Sequence, residues 1–362
     1  MQPLSAVQAV TPAFEQTKQQ LFKPFRFWHW GRLALVALVT GEFAGGGGGG
    51  GGGSARFPVP EPVETKDLAW LATSGPTWAR IVEYLPLILL AIGLVIALGL
   101  LWLYVASVCR FILLDTVIKN RCELRAGWRR WQPQGKSYFL WSIALGLAVL
   151  AALLLTIGGP VFLAWQAGIF REPKQHLVLL ILGGVVLFFL FIGLIVAGAV
   201  VALLAKDFAV PIMALENRGI TDAWQRLLPM LATEKLSFAG YVLMKIVLAV
   251  GSAILFGILS LLALLLLLVP LGIGGLAIYL LAKGLGLVWN FVTIGAVAVL
   301  AVAILLFILL IVAFISVPAV VFFQSYPLNF FGSRYPVLAA LGFPPPPPPA
   351  PATLQPTPEP AA

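Results

Sequence analysis

The sequence predicts an all-α, polytopic membrane protein, a helix bundle with about six transmembrane helices. Two observations carry this prediction. Of the 362 residues, 60% are hydrophobic and only 10% are charged, with a mean hydropathy of +1.00, whereas soluble domains carry roughly 25% charged residues. The apolar residues also fall in separate runs of the length that a helix needs to cross a bilayer, about 20 residues. A soluble globular protein is therefore excluded.

Six apolar segments make up a membrane domain, which we place at 25–335. The predicted spans lie near 27–44, 85–108, 138–163, 177–204, 238–269 and 291–323. The first is the weakest, because Arg32 and Glu42 leave a short apolar run for a bilayer of about 30 Å. A half-inserted hairpin is the alternative there. The Gly-rich stretch 271–290 carries Lys283, so we interpret it as an outer or re-entrant connector, with a seventh span as the alternative.

The basic residues predict the orientation of the six spans. With the N-terminus inside, 17 of the 23 lysines and arginines fall on the cytoplasmic side, and an excess of this kind is typical of cytoplasmic loops. We therefore expect a multi-pass protein of the plasma (inner) membrane with both termini in the cytoplasm. The net charge of +9 lies beside apolar segments, which favours anionic lipid head groups over nucleic acid as the partner.

Three segments outside the spans have distinct compositions. Residues 1–24 form a predicted cytoplasmic amphipathic segment. Nine consecutive glycines at 45–53 predict a mobile outer loop over 45–62, because ordering a glycine run costs much backbone entropy. Residues 336–362 are rich in proline and predict a disordered cytoplasmic tail of polyproline II character. Such a tail is either solvated or docks a protein partner.

The cytoplasmic segments between the spans resemble one another. Residues 120–138 and 217–238 share an Asn-Arg pair, a tryptophan two residues before an arginine, and a proline five residues after that tryptophan. Each then has a serine and an aromatic residue at the entry to the next span, and the N-terminus carries a fainter copy. The sequence thus predicts a threefold repeat of a short amphipathic elbow helix, a proline break and a pair of spans.

The predicted elbow helices carry side chains that suit the membrane interface. An amphipathic helix of this kind lies in the membrane plane, with tryptophan rings at the head-group level and arginines at the phosphates. The candidate lipid head-group contacts are Arg125, Arg129, Arg130, Arg226, Trp128, Trp131 and Trp224. A purely structural role, in which the elbows only anchor the bundle, is the alternative.

Ionisable side chains within spans are the default functional candidates in a membrane protein. The two intramembrane polar candidates are Lys245, two turns into the fifth span, and Glu42, at the end of the first. Lys245 is expected to snorkel to the inner surface, and a pairing or ion-path role is the alternative. Glu42 shares its position at a span end with Asp115, Lys206 and Asp207, and a solvated cap or a local ion pair explains these residues.

The pattern of polar residues points to no catalytic, cofactor-binding or metal-ligating site. The two histidines, His29 and His176, fall on opposite sides of the membrane in the predicted topology. No P-loop, nucleophile elbow or zinc-protease motif occurs. The two cysteines, Cys109 and Cys122, suit free thiols. We therefore expect a protein that is not an enzyme and needs no cofactor.

The N-terminal part of the sequence has a distinctive order: Phe14-Glu15-x-Thr17-Lys18-x-x-Leu21-Phe22-x-Pro24-Phe25, then an apolar segment ending in Gly41-Glu42, then the glycine run. Together with the elbow motifs, this order resembles an uncharacterised prokaryotic membrane family, which is related to the membrane domain attached to some glycerophosphodiester phosphodiesterases. The likeness covers most of 13–335, without the enzymatic barrel. The resemblance implies an integral membrane protein of unassigned role and no catalytic residue.

Two functions stay open on the sequence alone. The basic inner surface and the repeated elbows favour a non-enzymatic protein that interacts with lipid or scaffolds partners. The repeated spans and long outer loops are also typical of a transporter or channel component.

Overall fold

The structure, a computed structural model, describes residues 3–22, 27–42, 77–119, 124–170, 175–284, 291–341 and 343. Within these ranges the chain is helical and contains no strand. The helices are α1 (Val10–Phe22), α2 (Phe27–Thr40), α3 (Thr77–Lys119), α4 (Leu124–Leu153), α5 (Gly159–Gln166), α6 (Leu177–Leu204), α7 (Val210–Glu216), α8 (Ile220–Thr233), α9 (Lys235–Gly284), α10 (Phe291–Gly332) and α11 (Pro336–Ala339). Two π-helical turns, Leu154–Gly158 and Ala205–Ala209, join α4 to α5 and α6 to α7.

Five helical stretches are long and apolar enough to cross a membrane. They are Tyr84–Lys119, Leu124–Gln166, Leu177–Glu216, Lys235–Leu281 and Thr293–Gly332, and each has 36 to 47 residues. At 1.5 Å per residue they measure roughly 54 to 70 Å, about twice the thickness of the hydrocarbon core. They coincide with five of the six predicted spans, so the all-α, multi-pass class is confirmed.

Each long helical stretch divides into a buried part and an exposed part. The buried residues all fall in 3–42, 104–142, 200–245 and 313–343, which together form what we term the packed end. The rest of each stretch is an apolar arm whose large side chains are mostly exposed; Leu155, for example, is 76% exposed. Apolar surface of this extent is typical of helices that face lipid. The buried charged groups of the described residues are all gathered at this packed end.

Aromatic rings hold the centre of the packed end together. The Tyr241 ring stacks on Tyr326 with 5.1 Å between centroids, and Phe208 lies 4.9 Å from Tyr241 and 5.2 Å from Phe238. Each such ring pair contributes about 0.5–1.5 kcal/mol beyond its area burial. These contacts fix the π-helical turn Ala205–Ala209 against α9 and α10, and thereby position the charged residues beside it.

The first predicted span differs from the other five. Helix α2 has 14 residues, or roughly 21 Å, and it lies within the packed end. Its first turns meet α10 at Phe314, whose ring centroid is 5.4 Å from Phe27 and 5.3 Å from Trp30. Glu42, two residues after its end, accepts a hydrogen bond from Gln324. Helix α2 thus runs parallel to α10, whereas the first and sixth of six spans would run in opposite directions. The complete crossing and the half-inserted hairpin both stay predictions for this segment.

The proline break predicted at Pro133 is wrong, whereas the connector at 271–290 stays a prediction. Pro133 lies inside α4, which continues from the second elbow into its span, and Pro229 lies inside α8, which ends at Thr233. Helix α9 also continues through Pro270 to Gly284. Prolines are tolerated in membrane helices because neighbouring groups satisfy the freed carbonyls. Since the second and third units differ in this way, the threefold repeat stays a prediction.

The first described residues of the chain lie beside the end of α10. Arg334 donates a hydrogen bond to the backbone oxygen of Leu4, and α1 packs on α10 through Ala13, Thr17 and Leu21, spaced four residues apart. The predicted disorder from residue 336 is wrong at its start, because α11 and the buried Phe343 pack on the same end. The Gly-rich loop 45–62, the tail 344–362 and Cys122 lie outside the described residues.

Candidate functional site

Five charged side chains meet inside the packed end and form what we term the ionic cluster. They are Glu42, Arg110, Lys206, Asp207 and Lys245. Four of them are buried, and the Arg110 side chain is 14% exposed. Charged side chains are almost never fully buried unless they are paired. The cluster is therefore the most distinctive polar feature of the described structure.

Glu42 joins four parts of the chain. Its Oε1 atom lies 2.8 Å from the Lys206 Nζ and 3.7 Å from the Arg110 Nε, and Gln324 donates a hydrogen bond of 2.8 Å to its Oε2. The Arg110 guanidinium also donates to the Tyr138 hydroxyl at 2.6 Å. The end of the α2 segment is thus tied to α3, to the π-helical turn and to α10 by charge-assisted contacts.

Asp207 forms the other half of the ionic cluster. Its Oδ2 atom accepts hydrogen bonds from the Lys245 ammonium and, at 2.9 Å, from the Tyr241 hydroxyl. Lys245 and Tyr241 lie four residues apart on α9, so both project from one face of that helix. Two donors from a single helix face therefore hold the carboxylate.

The π-helical turn Ala205–Ala209 explains how two neighbouring residues serve both halves. Lys206 reaches Glu42, whereas the adjacent Asp207 reaches Tyr241 and Lys245. Turns of this kind interrupt an α-helix rarely and occur frequently at functional sites. The π-helical turn contains one residue more than a regular α-helical turn does.

The ionic cluster holds three cations and two carboxylates, which are all engaged with one another. Arg110 Nε is buried without a hydrogen-bond acceptor, although it lies within ion-pair distance of Glu42. Chemically, the arrangement can lock helices together electrostatically, or its carboxylates can exchange protons with a lysine. Among the described residues, no three His, Cys, Asp or Glu side chains are grouped so as to hold a metal ion.

The sequence indicated part of this cluster. Lys245 was predicted to snorkel, but its side chain is 2% exposed and pairs with Asp207, which was the alternative. Glu42 is not a solvated cap; its partners lie far away in the chain. Arg110, Tyr241 and Gln324 were not singled out. The only signal for Tyr241 was its position one helical turn before Lys245.

The predicted head-group arginines divide into two groups. Arg125, Arg129 and Arg130 are exposed on the first turns of α4, within the packed end, and we term them the arginine patch. The ion pairs of the described residues do not involve them, and Arg130 lies 4.9 Å over the Trp131 ring. Arg226, by contrast, is paired with Glu216. The arginine patch therefore presents exposed cationic side chains on the surface of α4.

The predicted interfacial tryptophans pack against protein. Trp131 is buried and stacks on Phe111 with 5.9 Å between centroids. Trp128 meets Tyr104 edge to face at 6.1 Å, and Trp224 lies 5.9 Å from Trp141. Trp128 and Trp224 keep partly exposed surface. These contacts join the elbow tryptophans to Tyr104 and Phe111 of α3 and to Trp141 of α4.

Glu216 organises a second polar network near the surface. It accepts hydrogen bonds from Arg226 and from the Tyr335 hydroxyl, and Arg218 lies 3.6 Å away. Burial and the hydrogen bond to Glu216 raise the pKa of Tyr335 to about 12. The hydroxyl therefore stays protonated at neutral pH and donates to the carboxylate.

The comparisons with known proteins give a family but no activity. A family model described as a family of unknown function, DUF7544, matches residues 4–341. No curated protein and no solved structure matches the chain. The match spans the packed end and all five long apolar helices.

Proposed function

Since the chain belongs to this family of unknown function, we propose its role from its geometry: it is a non-enzymatic integral membrane protein that binds anionic lipid head groups at its packed end. The observation that carries the proposal is the arginine patch. Three exposed guanidinium groups lie on the first turns of α4, in the part of the packed end that precedes the apolar arm of this helix, and basic residues beside an apolar span attract anionic head groups.

The charge of the arginine patch supports a lipid partner. Arg125 and Arg129 are four residues apart on one helix face, and a nearby basic residue contributes about 1 kcal/mol to the attraction of an anionic membrane surface. Removing both should weaken lipid binding by roughly tenfold or more. The predicted likeness to the phosphodiesterase membrane domain and the docking of a partner by the proline tail are compatible with this role and stay predictions.

The test uses the full chain in a neutral detergent and counts retained phospholipids by native mass spectrometry. We expect the wild type to retain phosphatidylglycerol in preference to phosphatidylcholine, and R125Q/R129Q to lose that preference. The control K18Q/K283Q removes the same charge at two other exposed lysines and should retain it. Equal retention of phosphatidylglycerol by the wild type and R125Q/R129Q would contradict the proposal.

The ionic cluster favours a second candidate, a transporter or channel component. Buried ionisable residues in membrane proteins often mark ion or proton pathways, and Asp207 combines burial, a lysine partner and a π-helical turn. In proteoliposomes with a pH-sensitive dye, such a protein would dissipate a proton gradient, and D207N would stop it. Dissipation no faster than in empty liposomes would exclude proton transport.

A further inference from the structure

A groove lies between the N-terminal residues and the start of α9. One wall consists of residues 5–7, and the other presents Leu236, Gly240, Leu243 and Val247. Its volume is about 400 Å³. The groove lies on the packed end, apart from the ionic cluster, and we term it the N-terminal groove.

The α9 wall of the groove is one continuous helix face. The four residues are spaced by four, three and four positions, which keeps them on one side of a helix of 3.6 residues per turn. From first to last they extend roughly 16 Å. Leu236 is 90% exposed and Leu243 65%, so the described part of the protein leaves these two apolar side chains largely uncovered.

The two ends of the groove differ in character. Val247 lies at the beginning of the α9 apolar arm, so this end opens towards the surface that lipid surrounds. The other end lies at the first turn of α9, where Lys235 is exposed and Ser237 lines the groove. Backbone N–H groups at a helix start attract phosphate. The neighbouring Glu234 does not offset this charge, because it is paired with Arg334 at 2.8 Å.

An apolar channel that leads from the lipid-facing surface to a cationic helix start has the polarity of a phospholipid. We propose that the N-terminal groove binds an acyl chain of an anionic phospholipid, with the phosphate at Lys235 and the first turn of α9. The site rests on the proposed lipid-binding function, but it uses none of the residues of the arginine patch.

Gly240 allows the groove to be filled by a single substitution. A Cβ atom at this position would meet no atom within 4 Å, and the same holds for Gly251 in the arm of the same helix. G240L therefore adds an isobutyl group to the groove from a position where the Cβ atom has open space, and G251L is the matched control outside it. Ala6→Leu narrows the groove from the opposite wall and serves as a second variant.

The experiment is photolabelling of the full chain with phosphatidylglycerol that carries a diazirine in its acyl chain, followed by peptide mapping. We expect labelling to concentrate at 236–247, to fall at least fivefold in G240L and in A6L, and to persist in G251L. K235Q should reduce labelling by phosphatidylglycerol to the level of a phosphatidylcholine probe. Labelling as dense along 248–281 as at 236–247, or undiminished in both G240L and A6L, would overturn the groove and indicate bulk lipid only.

The result separates the groove from the arginine patch. If R125Q/R129Q loses its preference for phosphatidylglycerol while G240L and A6L label normally, the groove is excluded and the patch stands. If G240L and A6L lose labelling while R125Q/R129Q keeps its lipid preference, the groove stands and the patch is excluded.

Discussion

Lys245 and Asp207 form an ion pair in which both side chains are 2% exposed, although 38 residues separate them in the chain. Burying two charges costs several kcal/mol per ion, which their mutual attraction and further hydrogen bonds must offset. Tyr241 supplies one such bond to Asp207. Losing either partner would leave the other charge buried and uncompensated.

The first prediction concerns this pair. We expect D207N and K245M each to destabilise the protein by about 3–5 kcal/mol, because each leaves a buried charge without its partner. The double variant should recover much of that loss, since it removes both charges. Thermal unfolding of the purified protein in detergent measures the change.

The control for the buried pair is Asp115 with Lys119, an i,i+4 pair at 2.8 Å whose side chains are partly exposed. D115N and K119M should each change stability by less than about 1 kcal/mol. D207N and K245M behaving like these surface variants would show that the buried pair contributes nothing.

The hydropathy of the sequence sufficed to predict five of the helices, because twenty or so consecutive apolar residues have no other stable form in lipid. Hydropathy did not predict the residue at which each helix passes from the lipid-facing surface into contact with other helices. The apolar character of 313–323 matches that of the arms, yet most of these residues are buried against protein. Only packing distinguishes the two environments.

The partners of the ionic cluster were beyond sequence reasoning for a related physical reason. Lys206 and Glu42 are separated by 164 positions, and Gln324 and Glu42 by 282. A positive charge near a span end is satisfied equally well by water, by lipid phosphate or by a carboxylate. The sequence therefore indicated that Lys245 and Glu42 were exceptional, and the fold determined what they contact.

The second prediction tests the half-inserted hairpin. If Glu42 and Lys206 touch in the membrane, E42Q and K206M should show a coupling energy of at least about 1 kcal/mol in a double-mutant cycle. E42Q combined with K283M, whose lysine lies at the far end of α9, should be additive. Additivity of E42Q with K206M would instead agree with a complete crossing by 27–44.

The third prediction uses two glycines of α4. A Cβ atom at Gly135 would lie 2.6 Å from Val108 Cγ2 and 3.1 Å from the Val108 Cα, so α3 and α4 approach closely there. G135A should destabilise by about 1–3 kcal/mol through overpacking. Gly146, in the same helix, has no atom within 4 Å, and G146A should stabilise by up to about 1 kcal/mol through helix propensity. A stabilising G135A would refute the close contact.

The last prediction concerns Tyr335, whose hydroxyl donates to Glu216. Hydrogen bonds to charged groups contribute about 1.5–3 kcal/mol, but Arg226 still holds Glu216 in the variant, so we expect Y335F to lose about 1–2 kcal/mol. The exposed Tyr84 provides the control Y84F, which should lose none.

The pH dependence of Tyr335 gives a second measurement with a definite sign. Its pKa is raised from 10 to about 12, so the folded protein favours the protonated hydroxyl. The associated stabilisation is complete below pH 10 and disappears as the pH rises towards 12. The stability difference between the wild type and Y335F should therefore shrink over that interval. A difference that stays constant from pH 9 to 12 would mean that the hydroxyl does not donate to Glu216, and that the loss in Y335F comes from packing alone.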